Sequence, residues 1–109
     1  MSEIINAVGK ENFDKIISGD KVVLADFWAT WCNPCMMQGP ILHEFAEEMG
    51  DKIQVVKINV DESANEELCY KYGVMSIPML AVFKKGEMVD KTVGLTSKDG
   101  LEALIKKHL

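Results

Sequence analysis

The sequence predicts an α/β domain: a central mixed β-sheet with helices on both faces. Three observations carry this expectation. Apolar runs of strand length alternate with stretches of helical periodicity, which argues for parallel strands joined by helical crossovers. Near the end, the turn signal Lys84-Lys85-Gly86-Glu87 joins two strand candidates directly and adds an antiparallel edge. The chain has 109 residues, of which 48% are hydrophobic, enough for one core and too few residues for two domains. Residues 1–109 are therefore read as a single domain.

The elements follow in order. Ile4 and Ile5 suggest a short first strand, and Phe13, Ile16 and Ile17 give helical spacing after Gly9. Val22, Val23, Leu24, Ala25, Phe27 and Trp28 form a nearly continuous apolar run, as in a strand buried on both faces, broken only by Asp26. From Cys35 onward, Met37, Ile41, Phe45 and Met49 recur every fourth residue, with Leu42 and Ala46 beside them and Glu44, Glu47 and Glu48 on the wet side. Pro40 should kink this helix rather than end it, and Met37 is expected in the core. Ile53–Val60 is the next strand, and Ser63-Ala64-Asn65-Glu66 matches a capping box opening a helix with Leu68 and Tyr72. Met79–Phe83 and Met88–Val93 form the hairpin strands. Ser97 can cap a last helix on which Leu101, Leu104, Ile105 and His108 share a face. The predicted order is β-α-β-α-β-α-β-β-α.

Composition narrows the function classes. Only three residues are proline and eight glycine, so low-complexity and collagen-like chains are excluded. Lys and Arg number 12 against 17 Asp and Glu, a net charge of -5, and all 12 are Lys. A phosphate-tracking face is not expected, so nucleic acid is not the expected partner. No basic stretch followed by an apolar run marks a signal peptide, and no apolar run approaches the roughly 20 residues of a membrane span. A cytoplasmic, reducing setting is expected, with no membrane association.

Cysteine usage sharpens the reading. There are three cysteines, and Cys32 and Cys35 stand three apart between the buried strand and the long helix. Sites in open α/β folds form where strands end. Cys32 thus falls at a helix N-terminus, where free backbone N–H groups favour a thiolate, the reactive form of cysteine. Pro34 suits the first helical turn, and the two sulfurs can close a small disulfide without moving the fold. A zinc site would need four ligands; no second Cys pair exists, and His43 and His108 are not at a familiar ligand spacing. No metal and no cofactor are expected.

Trp31-Cys32-Asn33-Pro34-Cys35 resembles the Trp-Cys-Gly-Pro-Cys signature of the thioredoxin family. The likeness extends to Asp26, Pro40 and Lys57, and to Tyr72-Gly73-Val74-Met75-Ser76-Ile77-Pro78, which is similar to the family segment presenting a cis-proline beside the active site. Gly86 and Gly94 match the family's hairpin and loop glycines. The resemblance covers essentially the whole chain and implies a thioredoxin fold. The departures are Asn33 in place of glycine, Met36 where Lys or Arg is common, and Met79 where Thr is common.

The resemblance implies a protein-disulfide reductase. Cys32 attacks a substrate disulfide and Cys35 resolves the mixed disulfide. Trp31, Asn33, Pro34, Val74, Ile77, Pro78 and Gly94 are the expected substrate-binding residues. The implied partners are disulfide-containing proteins and a thioredoxin reductase of the flavoprotein type, with the chain itself a monomer. Asp26 is either a solvated strand end or, given its apolar neighbours, a buried acid that exchanges protons with Cys35. Lys57 is its expected partner, directly or through water, and burial should raise the Asp26 pKa. Cys69 reads as a small core residue, with a regulatory thiol as the alternative. Met36, Met75 and Met79 suit either a docking face or gap-filling. Two rival functions stay open at this stage: a disulfide-forming or isomerising enzyme on the same fold, and a non-catalytic binding scaffold.

Overall fold

The computed structural model describes residues 3–109; residues 1 and 2 of the expected single domain lie outside the described residues. The elements are β1 (Ile4–Asn6), α1 (Lys10–Ile17), β2 (Val22–Trp28), α2 (Asn33–Met49), β3 (Ile53–Asn59), α3 (Glu66–Lys71), β4 (Met79–Lys84), β5 (Glu87–Val93) and α4 (Lys98–Lys106). This is the predicted order. Short 3₁₀ turns over Gly50–Lys52 and Ser63–Asn65 precede β3 and α3.

The strands form one five-stranded sheet in the order β1-β3-β2-β4-β5. β1, β3 and β2 run parallel, while β4 is antiparallel to β2 and to β5. The mixed sheet follows from the connections: helices separate the parallel strands, and the two-residue turn Lys85-Gly86 reverses the chain between β4 and β5. Both turn residues have positive φ, 52° and 83°, the backbone that matches the twist of a tight hairpin and that Gly86 adopts without strain.

Alternation along the central strands divides the core. Val23, Ala25 and Phe27 of β2 join Val56, Ile58, Ala81 and Phe83 under α1 and α3. There Phe13, Tyr72 and Phe83 meet edge to face, with centroids 5.0–5.9 Å apart. Val22 and Leu24 join Val55, Leu80 and Val82 under α2 and α4. Each fully buried Leu or Phe contributes roughly 1.5–3 kcal/mol of burial free energy. Side chains alternate along a strand, so Asp26 and Trp28 share the face of Leu24, and Lys57 that of Val55. The sheet therefore presents these three polar or amphipathic side chains toward α2.

The last helix is capped as expected, with Ser97 Oγ accepting from Gly100 N–H at 3.1 Å. Leu101, Leu104 and Ile105 are buried, while His108 is half-buried and Nε2 meets Asp90 Oδ2 at 2.9 Å. That contact holds the Asp90 carboxyl below its ordinary pKa.

Two local expectations are corrected. Ser63 caps no helix: the 3₁₀ turn intervenes, α3 begins at Glu66, and neither has a side-chain cap. The cause is Asn65, which is fully buried. Its Oδ1 accepts from Gly9 N–H at 2.7 Å and its Nδ2 donates to the Asn59 carbonyl at 3.0 Å, pulling the turn inward. Met37 is 60% exposed, not core. The buried stripe of α2 runs through Cys35, Gln38, Leu42, Phe45 and Ala46, and Met37, two residues past Cys35, falls about 200° around the helix from it. The helix does continue through Pro40.

Candidate active site

The site is built where β2 ends. Cys32 N–H donates to the Ala29 carbonyl at 3.3 Å, closing the loop that turns the chain into α2. Cys32 is the N-cap of α2, with extended backbone, and Pro34 stands in the first turn, where its missing N–H is no loss. Cys32 and Cys35 form a disulfide with Cα atoms 5.2 Å apart. Cys35 N–H donates to Cys32 Sγ at 3.2 Å, so the sulfur takes the capping role a serine oxygen usually fills. In the reduced protein this N–H and the helix terminus favour negative charge on that sulfur. Cys35 is 1% exposed and Cys32 5%; with Ala29 they form a small cluster against which Trp28, Val60 and Ile77 pack.

A second loop completes the surface. The Ile77 carbonyl lies 3.7 Å from Cys32 Sγ, and the Ile77–Pro78 bond is cis. Gly94 N–H donates to the Pro78 carbonyl at 2.8 Å, bringing the loop after β5 beside it. Trp31 is 69% exposed, and its Nε1–H donates to Asp61 Oδ2 at 2.9 Å. Trp31, Val60, Cys69, Val74, Met75 and Ile77 edge an open hollow of about 410 Å³. A hollow of about 500 Å³ along α1, edged by Lys10, Glu11, Asp14 and Lys15, touches none of these residues.

The predicted site residues thus fall into two groups. Trp31, Cys32, Asn33, Pro34, Cys35, Ile77, Pro78 and Gly94 are brought together by the β2–α2 junction and the contacts of Ile77 and Pro78, and Val74 edges the adjoining hollow. Asp26 and Lys57 lie deeper, in register on neighbouring strands. Asp26 is 0% exposed and neither carboxylate oxygen has a hydrogen-bond partner among the described residues. Desolvation raises its pKa to about 7, against the opposing pull of the Lys57 charge. Of the two expected forms of the Asp26–Lys57 partnership, direct or through water, the direct contact is not made: Lys57 Nζ sits over the Trp28 ring, 4.4 Å from its centroid, and acts on Asp26 through its charge. An ammonium on an indole face gains part of the stabilisation a carboxylate contact would give.

Cys69 is half-buried at the hollow, and burial raises its thiol pKa, with Glu66 adding to the effect. Among the described residues, no group of three His, Cys, Asp or Glu side chains is placed to hold a metal ion. No helix among them is long and apolar enough to cross a membrane.

Sequence reasoning missed two buried polar residues, Gln38 and Asn65, and the tether from Asp61 to Trp31. The signal for Gln38 was present: it stands three residues from Cys35 and four from Leu42, on the apolar stripe of α2. Asp61 carried no such signal, because it begins an acid-rich stretch that reads as solvated.

A family model described as Thioredoxin matches residues 4–107. The thioredoxin of Bacillus subtilis (strain 168) is 55% identical over 92 residues, covering 84% of this chain and 86% of the relative. A thioredoxin of Staphylococcus epidermidis is 50% identical over 103 residues, covering 94% of this chain and 95% of the relative. Among solved structures, a mutant thioredoxin from Halobacterium salinarum NRC-1 superposes with a TM-score of 0.88 at 40% identity, covering 97% of this chain and 90% of that one. The thioredoxin of Malassezia sympodialis gives a TM-score of 0.87 at 34% identity, covering 99% and 95%.

Proposed function

The chain belongs to the thioredoxin family, and from that premise we propose how its side chains divide the work of disulfide reduction. The protein is a dithiol thiol-disulfide oxidoreductase, acting on disulfides of protein substrates and recharged by a reductase. Cys32 is the attacking thiolate. Its sulfur bonds to one sulfur of the substrate disulfide, the substrate S–S bond breaks, and the first substrate thiolate leaves and takes up a proton. Cys35 then gives its proton to the Asp26 carboxylate and attacks Cys32 Sγ. The mixed disulfide breaks, the second substrate thiolate leaves, and Asp26 returns the proton. The substrate has gained two electrons and two protons, and the Cys32–Cys35 dithiol has lost them. Lys57, by its charge, keeps Asp26 from being held permanently protonated.

The observation that carries this division is the unequal setting of the two sulfurs. Cys32 Sγ caps α2 and receives the Cys35 N–H, whereas Cys35 is buried behind it. Trp31, Asn33, Pro34, Val74, Ile77, Pro78 and Gly94 form the docking surface for an extended substrate segment. The test is a trapping experiment. Reduced Cys35→Ser should accumulate a mixed disulfide through Cys32; a trap through Cys35 in Cys32→Ser would reverse the roles.

The reductase is a flavoprotein, and the protein works as a cytoplasmic monomer in which residues 1–109 form one domain. The family supports the first. The reducing setting that free dithiol chemistry requires supports the second. The net charge of -5, with no Arg in the chain, speaks against nucleic-acid or anionic-membrane partners.

A further inference from the structure

Gln38 is a primary amide at 0% exposure on the sheet-facing stripe of α2, where an apolar side chain would fill the space without needing partners. Burying an amide is unfavourable unless its hydrogen bonds are made. Here both are made, and to one residue: Thr96 N–H donates to Gln38 Oε1 at 2.8 Å, and Gln38 Nε2–H donates to the Thr96 carbonyl at 2.9 Å. The amide and the backbone of Thr96 thus close a two-bond ring, and reversing the amide would lose both bonds.

Thr96 lies in the loop between β5 and α4, which has no regular secondary structure of its own. Thr96 Oγ1 donates to the Gly94 carbonyl at 3.0 Å, and Gly94 N–H donates to the Pro78 carbonyl at 2.8 Å. Ile77, preceding Pro78, reaches within 3.7 Å of Cys32 Sγ. A continuous line of contacts therefore runs from the cysteine-bearing helix through Gln38, Thr96 and Gly94 back to the attacking sulfur. Val93 and Leu95, flanking Gly94, are exposed apolar residues.

We propose that Gln38 is a positioning residue for polypeptide substrates: it fastens the Gly94–Thr96 loop to α2 and so holds one wall of the docking surface in register with Cys32. This rests on the docking surface proposed above. A small disulfide needs to meet only Cys32, whereas a long substrate also meets the loop, so the effect falls on docking of long substrates and not on thiol exchange.

Gln38→Met keeps the side-chain length and removes both bonds. Reduction of insulin and of a small aromatic disulfide by the reduced protein, measured over substrate concentration, separates the possibilities. The expected result is a five- to tenfold higher KM for insulin with kcat within twofold, and an unchanged second-order rate for the small disulfide. Amide exchange at Thr96 should accelerate at least tenfold while β2 amides stay protected. An unchanged insulin KM in Gln38→Met, an equal loss with both disulfides, or unaccelerated amide exchange at Thr96 overturns the proposal. Failure of the parent protein to reduce either disulfide would instead overturn the reductase mechanism.

Discussion

Replacing Asp26 by Asn tests the buried acid directly. The carboxyl is wholly enclosed and lacks hydrogen-bond partners among the described residues, and desolvation lifts its pKa from 3.8 to about 7. A shift of about 3 units at 1.36 kcal/mol each corresponds to roughly 4 kcal/mol between the protonation states. The sign follows from linkage. Because the folded pKa is raised, the native state holds the proton more tightly than the unfolded chain. Its relative stability is fully present below the unfolded pKa and is lost as pH rises to the folded value. Between pH 4 and pH 8 the parent should therefore lose roughly 3–4 kcal/mol relative to Asp26→Asn. An unpaired buried amide carries its own desolvation cost of about 1–3 kcal/mol at every pH, so the pH-dependent difference is the quantity to read. Other titrating groups, including the Asp90–His108 pair, are common to both proteins and cancel. The assay is urea unfolding of the oxidised proteins at pH 4, 6, 7 and 8. Asp26→Asn should also reduce insulin more slowly, because an amide cannot take the Cys35 proton. Stability curves that stay parallel across pH would refute the buried-acid reasoning, and equal turnover at every pH would refute the proton-transfer role.

Three further outcomes are expected. Met36→Lys places a cation on an exposed first-turn position beside Cys32 and should lower the Cys32 pKa by a few tenths of a unit, read by thiolate absorbance; an unchanged or raised value counts against it. Closing the Cys32–Cys35 disulfide should quench tryptophan emission, since Trp28 packs against the cluster that holds the two cysteines, and identical spectra of the two redox forms would contradict that packing. Ser97→Ala removes the cap of α4 and should lower unfolding free energy by about 1 kcal/mol, with insulin reduction unaffected; no change in the denaturation midpoint would show that the cap contributes nothing.

The order of the elements was readable because periodicity switches cleanly at each boundary. Val22–Trp28 is apolar at nearly every position, and the two-residue hairpin has its Gly where positive φ is required. The N-terminal helix boundary at Cys32 was readable from Pro34 for the same kind of reason: proline is tolerated there because its missing donor is not needed. The rotation of α2 was not readable. Met37, Ile41, Phe45 and Met49 form a row as regular as the true stripe, and the sheet chose between them through Cys35 and Leu42. The failed capping box has a similar origin. Local sequence offers Ser63 to the helix, but Asn65 gains long-range partners at Gly9 and Asn59, and tertiary contacts outweigh a local motif. In the site, residues adjacent in sequence to the cysteines were identified. Gln38 and Asp61 act through partners that sequence distance conceals, Thr96 at 58 positions and Trp31 at 30.

The placement of Lys57 bears on how Asp26 can suit both halves of the proton transfer proposed for it. A direct ion pair would favour the carboxylate and hold its pKa in the acid range, leaving a base too weak to take a thiol proton. With no positive charge nearby, desolvation alone would hold the proton more firmly and place the pKa higher still. The ammonium instead rests on the Trp28 ring, whose face supplies part of the stabilisation a carboxylate would otherwise provide. From there its charge still draws the Asp26 pKa down, against a larger opposing effect of burial, and the two leave it at about 7. At that value protonated and ionised forms are both populated near neutral pH, the condition under which one group serves as base and then as acid. Trp28 therefore belongs to the electrostatics of the site as well as to its packing. Trp28→Phe, a weaker cation-binding ring, should release Lys57 toward Asp26 and lower the Asp26 pKa. Carboxyl titration by carbon NMR reads this directly, and a value unmoved or raised in the Phe variant would break the link between the indole and the acid.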